Sequence, residues 1–148
     1  MHLLSRLLRP HRIVEAHCDG PCGVYDPAAA RIAAEAVASM ARKLVALPEG
    51  GDLASANTRS RFIAIKEQQA ELAKHELGVL WTDYFKPEHV AAQPELGEIF
   101  WKAAKLCSQN KVEVNVQAAE ALLETIHQVH DIYWASKGRT DVPFYLAG

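Results

Sequence analysis

The chain has 148 residues, 49% hydrophobic and 23% charged, which is ordinary for one soluble globular domain. Its formal net charge of -2 provides no overall attraction to nucleic acid or to an anionic membrane, so neither is expected as a partner. Three cysteines, two of them close together, are too few for a disulfide scaffold and favour metal or redox chemistry at the close pair.

The first predicted segment is a leader at residues 1–16. It carries Arg6, Arg9 and Arg12 among leucines, and Pro10 interrupts it. No uninterrupted apolar stretch resembles a secretory signal, and none is long enough to span a bilayer. We therefore interpret residues 1–16 as a leader of another kind that is removed on maturation.

Residues 17–27, HCDGPCGVYDP, are predicted to form a loop because their glycines and prolines disfavour helices and strands. His17 and Cys18 are adjacent, and Cys22 follows four residues after Cys18. Two cysteines at this spacing are compatible with half of a zinc site, a redox pair or an incidental pair. A structural zinc site needs four ligands, and Cys107 lies on an apolar helical run, where a buried, inert thiol is expected.

Cleavage between Ala16 and His17 would give this loop a particular donor set. The free amine of His17 and the backbone nitrogen of Cys18 can close a five-membered ring on one metal, and the same nitrogen and the Cys18 sulfur can close another. A turn through Pro21 could bring the Cys22 sulfur round as a fourth planar donor. Two nitrogens and two thiolates in a plane favour Ni(II) or Cu(II) over zinc.

Four helices are predicted after the loop, because apolar residues recur at helical spacing between prolines and glycines. Short connections cannot bridge parallel neighbours, so the predicted fold is all-α, an antiparallel up-and-down four-helix bundle with an N-terminal metal-binding hook. The stretch after Gly138 contains three large apolar residues and is expected to dock. The first helix is predicted to begin at Asp26–Pro27 and to end near Leu47. The second is predicted to run from about Ser55 to Tyr84, with Phe62, Ile65 and Leu72 on its apolar side. The third is predicted to begin at Pro94, and the fourth to extend from Val112 to Tyr133.

At residues 17–27 the chain resembles the nickel-containing superoxide dismutases, whose nickel hook has this order of residues at the start of the mature chain. Further likeness lies in residues 65–68, 70–75 and 80–87. The resemblance extends from residue 17 to about residue 137. It implies a four-helix bundle assembled as a homohexamer, and a nickel-dependent dismutation of superoxide to oxygen and hydrogen peroxide through the Ni(II)/Ni(III) couple.

The resemblance also implies how the chain matures. Residues 1–16 would be removed by a leader-cleaving protease, and residues 17–148 would form the enzyme domain, with its hook at residues 17–27. We expect the protein to be cytoplasmic, because its cysteines must be unoxidised when the metal arrives.

Individual roles follow from the same resemblance. One nickel ion per subunit would be bound by the amine and imidazole of His17, the amide and sulfur of Cys18, and the sulfur of Cys22. The expected catalytic residues are Tyr25, which lines the side from which substrate reaches the hook, and Lys86, which attracts the anionic substrate. The expected supporting residues are Asp19, which holds the loop, Pro21 in its turn, Tyr84 near the hook, and Arg61 as an added positive charge.

One departure from the family concerns the residues that support the imidazole of His17, which would bind the metal axially, above the plane of the other donors. Family members have a Glu on the first helix and an Arg on the second for this purpose, and the matching positions here are Ala33 and Gln69. Groups of this kind fix ring orientation and basicity, so a weaker axial bond from His17 is expected.

Two other classes of function remain open at this point. The same loop could serve a nickel or copper chaperone or sensor that binds metal without turnover. The chain could also be a structural helical bundle in which the pair of Cys18 and Cys22 is incidental.

Overall fold

The computed structural model describes residues 22–147, and all regular structure in this range is helical. Four long helices form the body of the molecule, and a π-helical turn and one short helix link the second long helix to the third. The elements are α1 (Ala28–Ala46), α2 (Leu53–Val79), the π-helical turn (Leu80–Tyr84), α3 (Pro87–Ala92), α4 (Leu96–Val112) and α5 (Val116–Ser136).

The long helices form a four-helix bundle. Helix α1 packs against α2 and α5, and α4 packs against the same two helices. Because successive long helices are neighbours, the chain runs up and down the bundle, as predicted. One end of the bundle therefore collects the start of α1, the end of α2, the start of α4 and the end of α5. Residues 22–27 enter the fold at this end.

The boundary between α4 and α5 corrects the predicted start of the last helix. Val112 was expected on the fourth predicted helix, which corresponds to α5. It is instead the last residue of α4 and is 85% exposed. Helix α5 begins at Val116, because the side chain of Asn115 accepts a hydrogen bond of 3.0 Å from the amide of Ala118. The cap sets the boundary, which apolar spacing alone had missed.

The buried face of α2 also differs from the prediction. Ile65 and Leu72 were expected on the apolar side, but they are 38% and 41% exposed. Apolar and polar residues are spread around this helix, so periodicity does not mark one face. The small side chains on the inner face allow neighbouring helices to approach closely. The buried residues of α2 are Lys66, Ala70, Ala73 and Leu77.

The link from α2 to α4 contains a helix that the sequence analysis did not predict. Pro87 is the first residue of α3. Proline is suited to this position because a first helical residue has no intrahelical partner for its amide. The predicted opening of the next helix at Pro94 is confirmed to within two residues, since α4 begins at Leu96.

The C-terminal segment, residues 139–147, docks on α1 and α5, as expected. The ring of Phe144 stacks on His127 with centroids 4.2 Å apart, and the amide of Ala147 donates to the carboxylate of Glu35. The Nε2 atom of His130 lies 3.0 Å from the carbonyl oxygen of Val142. Within residues 22–147, no helix is long and apolar enough to cross a membrane.

Candidate metal centre

Cys22 is the one predicted metal ligand among the described residues; His17 and Cys18, like Asp19 and Pro21, lie outside them. Its thiol is free and exposed. Gly23 follows with φ of +64°, a left-handed conformation that favours glycine and turns the chain sharply. A soft sulfur donor is thus presented to solvent just before a turn.

The hook passes directly into α1. A carboxylate oxygen of Asp26 accepts a hydrogen bond of 2.8 Å from the amide of Ala28, and the carbonyl of Pro27 accepts one of 3.0 Å from the amide of Arg31. Pro27 is fully buried. These contacts confirm the helix start predicted at Asp26–Pro27, and they fix the C-terminal end of the hook to the bundle.

Tyr25 and Tyr84 meet at this end of the bundle, with ring centroids 5.6 Å apart. The π-helical turn is responsible for the position of Tyr84, because the amide of Phe85 bonds to the carbonyl of Leu80, five residues back. The widened turn leaves Tyr84 in contact with Tyr25. The structure therefore brings together two of the predicted site residues.

The hydroxyl of Tyr84 has a defined direction. It lies 2.6 Å from the hydroxyl of Ser136, which itself donates a hydrogen bond of 2.6 Å to the carbonyl of Tyr133. Since the one proton of Ser136 goes to that carbonyl, Tyr84 is the donor in their shared bond. The Tyr84 oxygen can still accept a hydrogen bond. The ammonium of Lys137 lies 5.2 Å from the Tyr84 ring centroid and adds positive charge nearby.

Tyr133 was predicted only as the end of the last helix, but it contacts the hook directly. Its side chain is fully buried, and its hydroxyl donates a hydrogen bond to the main-chain carbonyl of Tyr25. Burial, together with the nearby Tyr84 and Asp26, raises the pKa of Tyr133 to about 12. Helical periodicity finds such a residue as core but contains no signal for a partner 108 positions away.

Lys86 lies at the same end of the bundle, two residues after Tyr84, and is exposed. Its amide donates a hydrogen bond of 2.9 Å to Nδ1 of His89, whose ring stacks on Tyr84 with centroids 5.5 Å apart. The backbone of Lys86 is thereby held beside the tyrosines. Arg61 lies roughly 27 Å from the end of α2 at about 1.5 Å per residue, so the fold of a single chain does not bring it to this site.

Among the described residues, the thiol of Cys22 is a donor that suits nickel. The other described cysteine, Cys107, is fully buried, and burial raises the pKa of its thiol to about 12, so it is not available as a ligand. Residues 22–147 contain no group of three or more His, Cys, Asp or Glu side chains that could hold a metal by themselves. The further donors that the sequence offers beside Cys22 are those of His17 and Cys18.

The two positions at which a departure from the resembled family was expected lie within the bundle. Ala33 on α1 is fully buried and Gln69 on α2 is half-buried. Neither side chain carries a charge.

Comparisons with known proteins identify the family of this chain. The family model for nickel-containing superoxide dismutase matches residues 12–137. The chain is 46% identical over 135 residues to the superoxide dismutase [Ni] of Streptomyces seoulensis and 44% identical over 135 residues to that of Streptomyces coelicolor. Each alignment covers 91% of this chain and 98% of the relative.

Solved structures give the same result. Two crystal structures of Ni-containing superoxide dismutase, one with nickel ligation of the oxidized state and one after partial x-ray-induced reduction, match with a TM-score of 0.74. Their sequence identity to this chain is 45%, and the match covers 83% of this chain and 100% of theirs. The chain belongs to the nickel-containing superoxide dismutase family.

Proposed function

We propose that the nickel of this superoxide dismutase is bound by residues 17–22 after cleavage between Ala16 and His17, with one ion per subunit. The observation that carries the proposal is the exposed thiol of Cys22, next to the turn that leads to Tyr25. The remaining donors are the amine and imidazole of His17 and the amide and sulfur of Cys18. Thiolates and imidazole are donors that suit nickel.

Bound nickel supplies a one-electron redox couple, so that one superoxide is oxidised to O2 and a second, with two protons, is reduced to H2O2. The tyrosines at this end of the bundle restrict access to the hook. Tyr25 lines the path by which superoxide reaches the hook. The hydroxyl of Tyr84 donates its proton to Ser136, so its oxygen accepts a hydrogen bond from water or from the protonated product. The ammonium of Lys86 attracts the anionic substrate.

The remaining hook residues have supporting roles in this proposal. Asp19 holds the loop by accepting hydrogen bonds from its backbone, and Pro21 provides the turn that returns the chain to Cys22. Arg61 contributes positive charge only where a neighbouring subunit brings it to this end of the bundle.

We also propose that the subunits assemble as a homohexamer. Large apolar side chains are exposed on several helices, including Ile32 on α1, Leu72 on α2 and Trp101 on α4. These side chains are available for contacts between subunits. A mass measurement by light scattering on the processed chain is expected to give six subunits.

Maturation and location form the last part of the proposal. A protease removes residues 1–16, and nickel loading takes place in the cytoplasm, where thiols stay reduced. N-terminal sequencing of protein purified from its own cells is expected to begin at His17, and cell fractionation is expected to recover it with cytoplasmic markers.

The deciding experiment compares two forms of the protein. The chain starting at His17 and the full-length chain are each loaded with nickel, and superoxide decay is followed. Only the processed form has the terminal amine as a donor, so only that form is expected to be active. Equal activity in both forms, or none in the processed one, would refute the proposed hook.

The cysteines provide a matched control. Cys22→Ser is expected to abolish nickel binding and activity, because it removes a thiolate donor. Cys107→Ala removes a thiol of the same chemistry from the core and is expected to retain both properties. Loss of nickel binding in both variants would point to misfolding and not to ligation.

A further inference from the structure

We infer that Tyr133 is a positioning residue of the metal hook. Its hydroxyl holds the main-chain carbonyl of Tyr25 and thereby fixes the segment that carries Cys22 against the end of the bundle. Tyr133 does not contact substrate, and it acts on the site through Tyr25. The inference relies on the proposed function only for the identity of the metal.

The hydrogen bond joins the beginning of the described chain to the last turn of α5. Tyr25 lies three residues after Cys22, and Tyr133 lies in the last turn of α5, 108 residues further on. The contacts of Asp26 and Pro27 with α1 fix the start of the helix, but they are local along the chain. The bond to Tyr133 ties the hook to a different helix, α5.

Tyr133 is held so that its hydroxyl has little freedom. The side chain is fully buried, and its ring lies 4.6 Å from Tyr84 and 5.1 Å from Trp134, measured between centroids. With a pKa of about 12, the phenol stays protonated and remains a donor at every pH at which the enzyme is expected to work. A buried donor on a rigid helix is suited to holding a metal loop in place.

Tyr133 also holds Tyr84, the second tyrosine at this end of the bundle, in place. The carbonyl of Tyr133 accepts the hydrogen bond of Ser136, whose oxygen accepts the proton of Tyr84. Tyr133 thus binds Tyr25 through its hydroxyl and contacts Tyr84 through its ring, and Ser136 links its carbonyl to the Tyr84 hydroxyl. One residue of α5 therefore sets the distance between Tyr25 and Tyr84.

The variant Tyr133→Phe tests this inference because it keeps the ring and removes only the hydroxyl. Thr125→Val is the matched control, since Thr125 is also fully buried on α5 and donates its hydroxyl within the helix, to the carbonyl of Ala121 at 2.7 Å. Both variants lose one buried hydroxyl, but only one of them loses a bond to the hook.

The first measurement is local proteolysis of the full-length, metal-free chain. Chymotrypsin cleavage after Tyr25 reports opening of the hook, and cleavage after the buried Phe100 reports global unfolding. In Tyr133→Phe, cleavage after Tyr25 is expected to rise several-fold, up to about tenfold, relative to Thr125→Val. Cleavage after Phe100 is expected to be similar in the two variants.

The second measurement is nickel release to a chelator from the processed chain. Loss of a contact that supports metal ligands typically weakens a site about tenfold or more, so release from Tyr133→Phe is expected to be about ten times faster than from Thr125→Val. Equal cleavage after Tyr25 in the two variants, or equal nickel release, overturns the inference. If the unmodified chain loads no nickel, the proposed function fails, and the cleavage measurement alone decides the role of Tyr133.

Discussion

The ammonium of Lys66 on α2 donates a hydrogen bond to the main-chain carbonyl of Asn110, in the last turn of α4. It also lies 3.3 Å from the carbonyl oxygen of Lys111. The last carbonyls of a helix have no intrahelical donor, and here a side chain from the neighbouring helix satisfies them. Lys66 is only 1% exposed, and its desolvation lowers its pKa.

Replacing this lysine tests its contribution to the fold. Lys66→Met keeps most of the aliphatic volume but leaves the carbonyls at the end of α4 without their donor. We expect the free energy of unfolding to fall by about 2 kcal/mol, the range for a buried polar group that loses its partner. Urea unfolding of the metal-free protein measures this change. Lys43→Met, at an exposed position of α1, is expected to change stability by less than about 0.5 kcal/mol, and equal losses in the two variants would contradict the assigned role.

The buried thiol of Cys107 predicts a loss of stability in alkali. Its pKa is about 12 in the fold and 9.0 in its ordinary environment, so between these values the unfolded chain releases a proton that the folded chain keeps. Stability is therefore complete below pH 9 and falls as the pH rises towards 12. Between about pH 8 and pH 10.5 the wild-type protein is expected to lose about 2 kcal/mol more than Cys107→Ala. Urea unfolding across this range measures the difference, and parallel profiles for the two proteins would disprove the prediction.

Lys86 predicts a dependence of the rate on salt. Removing its charge in Lys86→Gln is expected to lower the second-order rate constant for superoxide about threefold at low ionic strength, because a local cation raises the encounter rate of an anion. At high ionic strength the difference is expected to shrink as screening increases. Pulse radiolysis at several salt concentrations measures this effect. Lys43→Gln removes a charge at the other end of the bundle, and an equal effect there would show that only net charge matters.

The docked C-terminal segment predicts a contribution to stability that is separate from the metal site. Phe144 stacks on His127, and the Arg31 guanidinium lies 5.9 Å from the Phe144 ring centroid. Phe144→Ala is expected to lower the free energy of unfolding by about 1 to 2 kcal/mol, since the ring is half-buried. Tyr145 is 68% exposed, so Tyr145→Ala is expected to have little effect. Thermal unfolding compares the two variants, and similar melting temperatures would show that the segment is not held by Phe144.

Several features of this protein could be read from the order of its residues. The hook motif at residues 17–27 and the helix start at Asp26–Pro27 are local, because they depend on residues a few positions apart. Apolar spacing and helix breakers are local in the same way, so the four long helices and their antiparallel order were predicted. The thiol of Cys107 was also correctly predicted to be buried, since it lies on a regular apolar run.

Tertiary structure decided the features that depend on contacts between distant residues. The inner face of α2 is set by the close approach of neighbouring helices to its alanines, and its periodicity does not reveal that face. The π-helical turn places Tyr84 against Tyr25, and packing of α5 brings the hydroxyl of Tyr133 to the Tyr25 carbonyl. A sequence pattern records the spacing of residues along one chain segment, whereas these contacts arise only when separate segments pack together.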